Sequence, residues 1–286
     1  MTSKAILTLV LAGVSLFGLR AQAGSAEGAP GIVTYPASGA PDDKRGDYYV
    51  SLLELALNKA GTGLVARPST NPSVAARAFI NMAKGRGIDV VWAPTTTELE
   101  RDYLPVRIPL DKGILGWRIF LIAGGDQARF ASIQSVQELK ALTVGQVREW
   151  VDTGILSADG FSVVAASRYE NLFTMLAARR FDYLPRGVGE VYDEAHNYGH
   201  LGLVVESHLA LNYPMCTYFF VAPKNVELAR HIEKGLLRAQ IDGSLEELFQ
   251  RFFGKMLRDA RLDSRLVFNL ERPTAPSTCK RAGMPG

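Results

Sequence analysis

What most narrows the folds open to this chain is an alternation of short apolar runs and amphipathic stretches between residues 31 and 92. Residues 31–35 form an apolar, β-prone run, and a Gly/Pro/Asp-rich loop follows to Gly46. Asp47 then offers an N-cap for a helix whose apolar face is Tyr49, Leu52, Leu53, Ala56, Leu57 and Ala60, ended by Gly61. Residues 64–66 read as a weak second strand. Pro72 opens a second helix with Ala75, Ala78, Phe79 and Met82 on one face, stopped at Gly85. Residues 88–92 are a third strand. Strand, helix, strand, helix, strand at this spacing calls for a parallel sheet with right-handed crossovers.

The third strand continues into a segment with a different task. It breaks at Pro94, presents Thr95, Thr96 and Thr97, and reaches Arg101 on a short acidic helical turn. It then runs through Pro109 and Gly113 into a second apolar strand over 117–123. Lys112, Gly113, Gly116 and Arg118 surround this crossover, where glycines suit either a hinge or a tight backbone approach. A second series of alternating elements follows. Ser135 and Glu138 form a capping box, 142–147 is a strand and 148–156 a helix. Residues 162–165 are a strand, and Ser167 with Glu170 caps a helix with Tyr169, Leu172, Phe173 and Leu176 inward. Residues 181–184 form a strand broken by Pro185, and 201–205 another. The run 213–222 is the longest β-prone one, long enough to leave one lobe and approach the other. Two helices follow, one carrying Leu228, Ala229, Ile232 and Leu236, the other capped by Ser244–Glu247 with Leu248, Phe249 and Phe252 inward. The proline-containing tail after Asn269 reads as a strap or a disordered end.

Composition excludes several function classes. A chain of 286 residues, 47% hydrophobic and 21% charged, is that of a globular protein with room for two cores. Lys4, the apolar run 5–19 and Ala21-Gln22-Ala23 make a secretory signal over residues 1–23, with Gly24 as the expected mature terminus. Its removal takes away Lys4 and Arg20 and no acid, lowering the formal charge from +3 to +1. Near-neutrality gives no electrostatic case for nucleic acid or an anionic membrane surface. Cys216 and Cys279 can pair in an oxidising compartment; alternatively Cys216 is a buried apolar residue and Cys279 a free thiol.

Catalytic signatures are missing. There is no phosphate-binding glycine loop, no nucleophile elbow and no metal-ligand cluster. His196, His200, His208 and His231 are too scattered for a triad or a metal site, so neither catalytic residues, a metal nor a cofactor is expected.

The order of elements, with an excursion into a second lobe and a return, resembles that of bacterial extracellular solute-binding proteins of family 3. These are type II periplasmic binding proteins that serve amino-acid ABC importers. The resemblance rests on the Thr95–Arg101 turn, on VRIPL after it, on LKALTVGQV and AARRFDYL, and on the closing IDGSLEELFQRFFG. It implies an α/β fold of two lobes joined by two crossover strands, with residues 24–115 and 222–286 in lobe 1 and 116–221 in lobe 2. It also implies a periplasmic location, a small-molecule ligand, and an ABC permease or a membrane sensor as partner; a monomer is expected.

Residue by residue, the resemblance maps the carboxylate-gripping arginine onto Arg101, whose planar fork matches a carboxylate. The alternative is a surface pair with Glu98 or Glu100. Thr95, Thr96 and Thr97 either add donors or cap the turn. On the second-lobe side, Gln146 and Arg148 fall at the expected helix start. Tyr35 ends the first strand, at the sheet edge where ligands sit in open α/β folds. The family's amine-binding aspartate is missing, and Arg186 and Glu190 stand in that region. Arg101, Arg148, Arg186 and Lys112 together point to a cleft richer in positive charge and to a carboxylate-bearing solute. Glu190 is a candidate partner for an amine. Other readings of the same fold are a solute sensor and a dehydratase-like enzyme, the latter needing Glu190 and a nearby histidine as an acid/base pair.

Overall fold

The computed structural model describes residues 31–38, 46–73, 75–271, 276 and 279; the expected signal over 1–23 lies outside them. The chain begins with β1 (Ile32–Ala37), α1 (Asp47–Ala60), β2 (Val65–Pro72), α2 (Ala75–Ala83) and β3 (Val90–Pro94). Next come α3 (Thr97–Asp102), β4 (Leu104–Val106) and the long β5 (Trp117–Ala123). The second series is α4 (Gln127–Ala131), α5 (Val136–Lys140), β6 (Thr143–Val147), α6 (Val151–Ala158), β7 (Ser162–Ala166), α7 (Tyr169–Ala177), β8 (Tyr183–Gly187) and α8 (Val191–Asn197). The chain closes with β9 (Leu203–Val205), β10 (Leu209–Asn212), β11 (Thr217–Val221), α9 (Val226–Ile241), α10 (Ser244–Ala260) and β12 (Leu266–Asn269).

The result is α/β, in two lobes. In the first, β1 and β2 pair in parallel, and β11 lies between β3 and β4, antiparallel to both. The β1 pair joins β3 through Asp89: its N–H donates to Thr34 O at 2.8 Å, and its carboxylate accepts from Thr34 N at 2.8 Å. Helices α1, α9 and α10 cover these strands through Leu52, Leu53, Phe219, Ile232 and Phe249, all buried. In the second lobe a seven-stranded sheet runs β12-β10-β5-β8-β6-β7, with β9 paired to β5. Strands β6, β7 and β8 are mutually parallel, and β5 is antiparallel to β8. Apolar side chains fill both faces of this sheet, Leu121, Phe173 and Leu184 on one side and Phe120, Leu156 and Tyr183 on the other.

Several expectations meet local corrections. The sheet of the first lobe is split, because β3 pairs with β11 and not with β1. Strand β2 extends through Pro72, so that proline ends a strand instead of opening α2. Gly46 is the N-cap of α1 in place of Asp47, and α6 begins three residues later than expected, after Trp150. Of the expected caps, Ser135 accepts from Glu138 N, whereas α7 and α10 have no side-chain cap. Two strands sit across the expected lobe division. Strand β11, expected in the second lobe, hydrogen-bonds to β3 and β4, and β12, expected in the first, to β10.

The crossovers lie side by side. Leu110 N donates to Thr217 O at 3.0 Å and Tyr213 N to Gly116 O at 3.2 Å. A Cβ on Gly116 would stand 2.2 Å from the Tyr213 carbonyl oxygen, so close backbone approach requires glycine there. Asp111, fully buried, ties the crossovers to α1: it accepts from Tyr49 OH (2.9 Å), Thr217 Oγ1 (2.7 Å) and Gly113 N (3.0 Å). Burial outweighs these bonds and holds its pKa above the ordinary value. Cys216 and Cys279 form a disulfide across 63 residues, which decides between the two readings of the cysteines.

Candidate functional site

Parallel strands bring their carboxyl ends to one edge, and the loops leaving that edge can converge on a ligand. In the second lobe these ends are Val147, Ala166 and Gly187. The turns that follow carry Arg148 and Trp150 after β6, Tyr169 after β7 and Glu190 after β8. Their centre is Arg186, the next-to-last residue of β8 and buried. A buried guanidinium needs carboxylates, and here it has two. Nε and Nη2 of Arg186 donate to both oxygens of Glu194 at 2.7–2.9 Å, and Nη2 reaches Glu190 Oε2 at 2.9 Å. The guanidinium lies over the rings of Trp150 (4.6 Å) and Tyr169 (5.6 Å), and Tyr169 OH donates to Glu194 Oε1 at 2.9 Å. Burial works against the Arg186 charge, but its carboxylate partners outweigh it and hold the pKa above the ordinary value. Burial and the Glu194 charge push the Tyr169 phenol up, so it stays a donor.

A second guanidinium stands beside the first. Arg118 donates through Nε to Asp152 Oδ1 at 2.7 Å and through Nη1 to the carbonyls of Trp117 and Leu115. Tyr213 OH donates to the same Asp152 oxygen, and Arg118 lies 5.1 Å over the Tyr213 ring. Burial opposes the Arg118 charge too, yet Asp152, Tyr213 and Glu190 raise its pKa on balance. Glu190 therefore acts on both arginines. The two acids differ in exposure: the Glu194 side chain is 8% exposed, that of Glu190 52%.

On the first lobe, Tyr35 is half-buried with its ring 5.9 Å from Trp92, which stacks on Tyr49 at 5.7 Å. Trp92, partly buried, packs against the first-lobe core. Thr95 is fully buried; its N–H donates to Cys216 O (2.8 Å) and its hydroxyl to Glu100 Oε1 (2.9 Å). Thr96 is the N-cap of α3, accepting from Leu99 N at 3.2 Å, and Thr97 is exposed on its first turn. Arg101, with its side chain 71% exposed, pairs with Asp102 at 2.7 and 3.1 Å, a partner other than the expected Glu98 or Glu100.

Gln146 is fully buried in β6, and neither its amide nitrogen nor its oxygen makes a hydrogen bond. Arg148 is exposed, with its backbone N–H donated to Ala166 O at 3.0 Å.

The structure thus joins Arg186 and Glu190 directly and places Arg148 at the same edge, while Arg101 and the threonines belong to the other lobe. The excess of positive charge expected from Arg101, Arg148, Arg186 and Lys112 is largely cancelled, because Asp102, Glu194 and Glu246 each take one cation. Glu190 is paired with Arg186, and His200 lies beside Tyr198. Sequence reasoning missed Glu194, Asp152 and Tyr213. Only Glu194 had a signal: it stands eight residues after an arginine inside an apolar strand, two helical turns beyond the break.

No protein-family model and no curated protein matches the chain. Solved structures do. A probable amino-acid ABC transporter extracellular-binding protein from Bacillus subtilis superposes with TM-score 0.58 at 16% identity, over 78% of this chain and 97% of that one. The L-cystine solute receptor of Neisseria gonorrhoeae, unliganded and open, gives 0.54 at 18% identity, over 79% and 94%. A histidine kinase sensor domain with similarity to periplasmic binding proteins gives 0.51 at 17%, over 78% and 96%. At these identities the likeness establishes the fold, the type II periplasmic binding architecture that the sequence resemblance implies.

Proposed function

We propose that this chain is a periplasmic solute-binding protein that closes its lobes over a small carboxylate-bearing solute, an amino-acid-like compound or an organic acid, and serves an ABC importer. The observation that carries this reading is Arg186. Its guanidinium is fixed from behind by Glu194 and from the side by Trp150, and its remaining edge meets only a half-exposed group. A planar donor fork held in place is a carboxylate receptor that pays little ordering entropy on binding. Arg118, paired with Asp152, stands beside it, and Arg148 stands exposed at the same edge. Tyr35 supplies an apolar wall from the first lobe, and Arg101 with Thr97 supplies the opposing polar side, on a turn held by Thr95 and Thr96. The Arg101–Asp102 pair is exposed and screened by solvent, so a ligand competes with it at little cost. Gln146, buried and without a hydrogen bond, supports this end of β6 from below. Residues 31–115 and 217–260 make one lobe in this reading, and 117–212 with β12 the other. Export through residues 1–23 fits the disulfide, which persists in oxidising compartments. Binding selects the closed form by differential affinity, and a partner reads that form.

Isothermal titration of the mature protein with succinate, L-glutamate and L-aspartate tests this. At least one binds, and Arg186→Lys, which keeps the charge but loses the fork, weakens it tenfold or more. Tight binding of a cationic amino acid, unchanged by Arg186→Lys, overturns the reading. Likeness to a kinase sensor domain favours a second reading, in which the closed form signals to a membrane protein without delivering cargo. Solute-dependent uptake lost on deletion of the gene supports transport; intact uptake with lost transcriptional response supports sensing.

A further inference from the structure

The Glu190 carboxylate occupies an unusual place. Strand β8 ends at Gly187, whose carbonyl accepts from Glu190 N at 2.9 Å, so the chain folds the glutamate back over the strand end. A Cβ on Gly187 would stand 3.1 Å from Glu190 Oε2 and meet nothing else nearer than that side chain. Over this glycine the carboxylate lies close to the backbone and reaches Arg186 Nη2 at 2.9 Å. Glu194 and Glu190 then divide the guanidinium between them. The first is buried, bidentate and bonded to Tyr169; the second is half-exposed, with a single short contact.

We propose that Glu190 is an internal stand-in for the solute's carboxylate. It holds the outer edge of Arg186 while no solute is bound, and an incoming carboxylate takes that edge as Glu190 turns to solvent. This rests on the carboxylate-binding reading above. Charge counting favours exchange over addition. Arg118 and Arg186 face Asp152, Glu194 and Glu190, so the cluster already carries one more carboxylate than guanidinium. Swapping one carboxylate for another leaves that balance unchanged. Adding a second while Glu190 stays would crowd like charges within hydrogen-bond reach of one Nη2, which is unfavourable. Half-exposed pairs are weak, so the competition is mild and costs the solute up to about fivefold in apparent affinity. A stand-in of this kind keeps the buried arginine satisfied in the empty protein and favours solutes whose carboxylate outcompetes a tethered one.

Two variants disturb Glu190 in unrelated ways. Glu190→Gln removes its charge and keeps its shape. Gly187→Ala keeps every charge and sets a methyl 3.1 Å from Glu190 Oε2, so the carboxylate must shift by a few tenths of an ångström against Arg186. Calorimetry with the succinate or amino-acid probe that wild type binds should show Glu190→Gln binding about two- to fivefold tighter, Gly187→Ala tighter by a smaller factor, and the double variant no tighter than Glu190→Gln alone. Unchanged or weaker binding in Glu190→Gln overturns the stand-in, weaker binding identifying Glu190 as a ligand contact. Because these comparisons use a probe whose binding depends on Arg186, they fail separately from the functional reading, which falls if no carboxylate probe binds wild type at all.

Discussion

Arg118 and Arg186 meet the same physical demand, a guanidinium inside a sheet, with different partners. Arg186 takes two glutamates from the helix just beyond its own strand, whereas Arg118 takes Asp152, 34 residues away, steadied by Tyr213 from a third element. That difference sets what was legible in advance. Arg186 and Glu190 stood out because they stand where the family resemblance places an amine-binding aspartate that this chain lacks. Asp152 looked like any acid in the first turn of a helix, since only tertiary pairing brings it to Arg118. Replacing Asp152 with Asn leaves Arg118 buried without its counter-charge and should cost about 3 kcal/mol in urea unfolding. Burial pushes the Asp152 carboxyl up, but the charge of Arg118 and the hydrogen bonds from Arg118 and Tyr213 outweigh it and hold its pKa below the ordinary value. The stability it contributes is thus present above the unfolded value, about pH 3.9, and is lost as pH falls through the folded one. Wild-type unfolding free energy should show this loss below about pH 4, and the Asn variant should lack that component.

Among the elements, the alternation of strands and helices was readable because apolar periodicity reports burial directly. Which strand pairs with which was not. Strand β11 is buried along its whole length and would suit either sheet; its place between β3 and β4 follows from the hydrogen bonds Thr95 N to Cys216 O and Leu110 N to Thr217 O at its entry. Pro72 misled because proline at a helix start and at the end of an edge strand look alike in sequence. The role of Gly116, left open between hinge freedom and close approach, is settled for approach by the 2.2 Å that a Cβ would leave to the Tyr213 oxygen. Gly116→Ala should therefore cost about 1–3 kcal/mol, seen as a lower urea midpoint at unchanged slope. Gly154→Ala in α6, with open space around it, should instead gain about 0.5–1 kcal/mol from helix propensity.

At the scale of the whole molecule, the two-lobed plan was legible from element order, while the number of passages between the lobes was not. The chain passes to the second sheet before β5, returns before β11, and reaches the second sheet again in β12. Short strands such as β12, four residues long, carry too little pattern to be placed without a partner. The disulfide across 63 residues should contribute about 4 kcal/mol through the unfolded chain, so the Cys216→Ala/Cys279→Ala variant should unfold at a clearly lower urea concentration. Cys216 packs in the first lobe beside Phe79 and Tyr218, and β12, which lies within the segment closed by the bond, belongs to the second-lobe sheet. The closed covalent ring consequently takes in parts of both lobes. A protease that cuts once anywhere within that ring severs the polypeptide but releases neither piece, and a protein built this way stays one covalent molecule after a nick for as long as its surroundings stay oxidising.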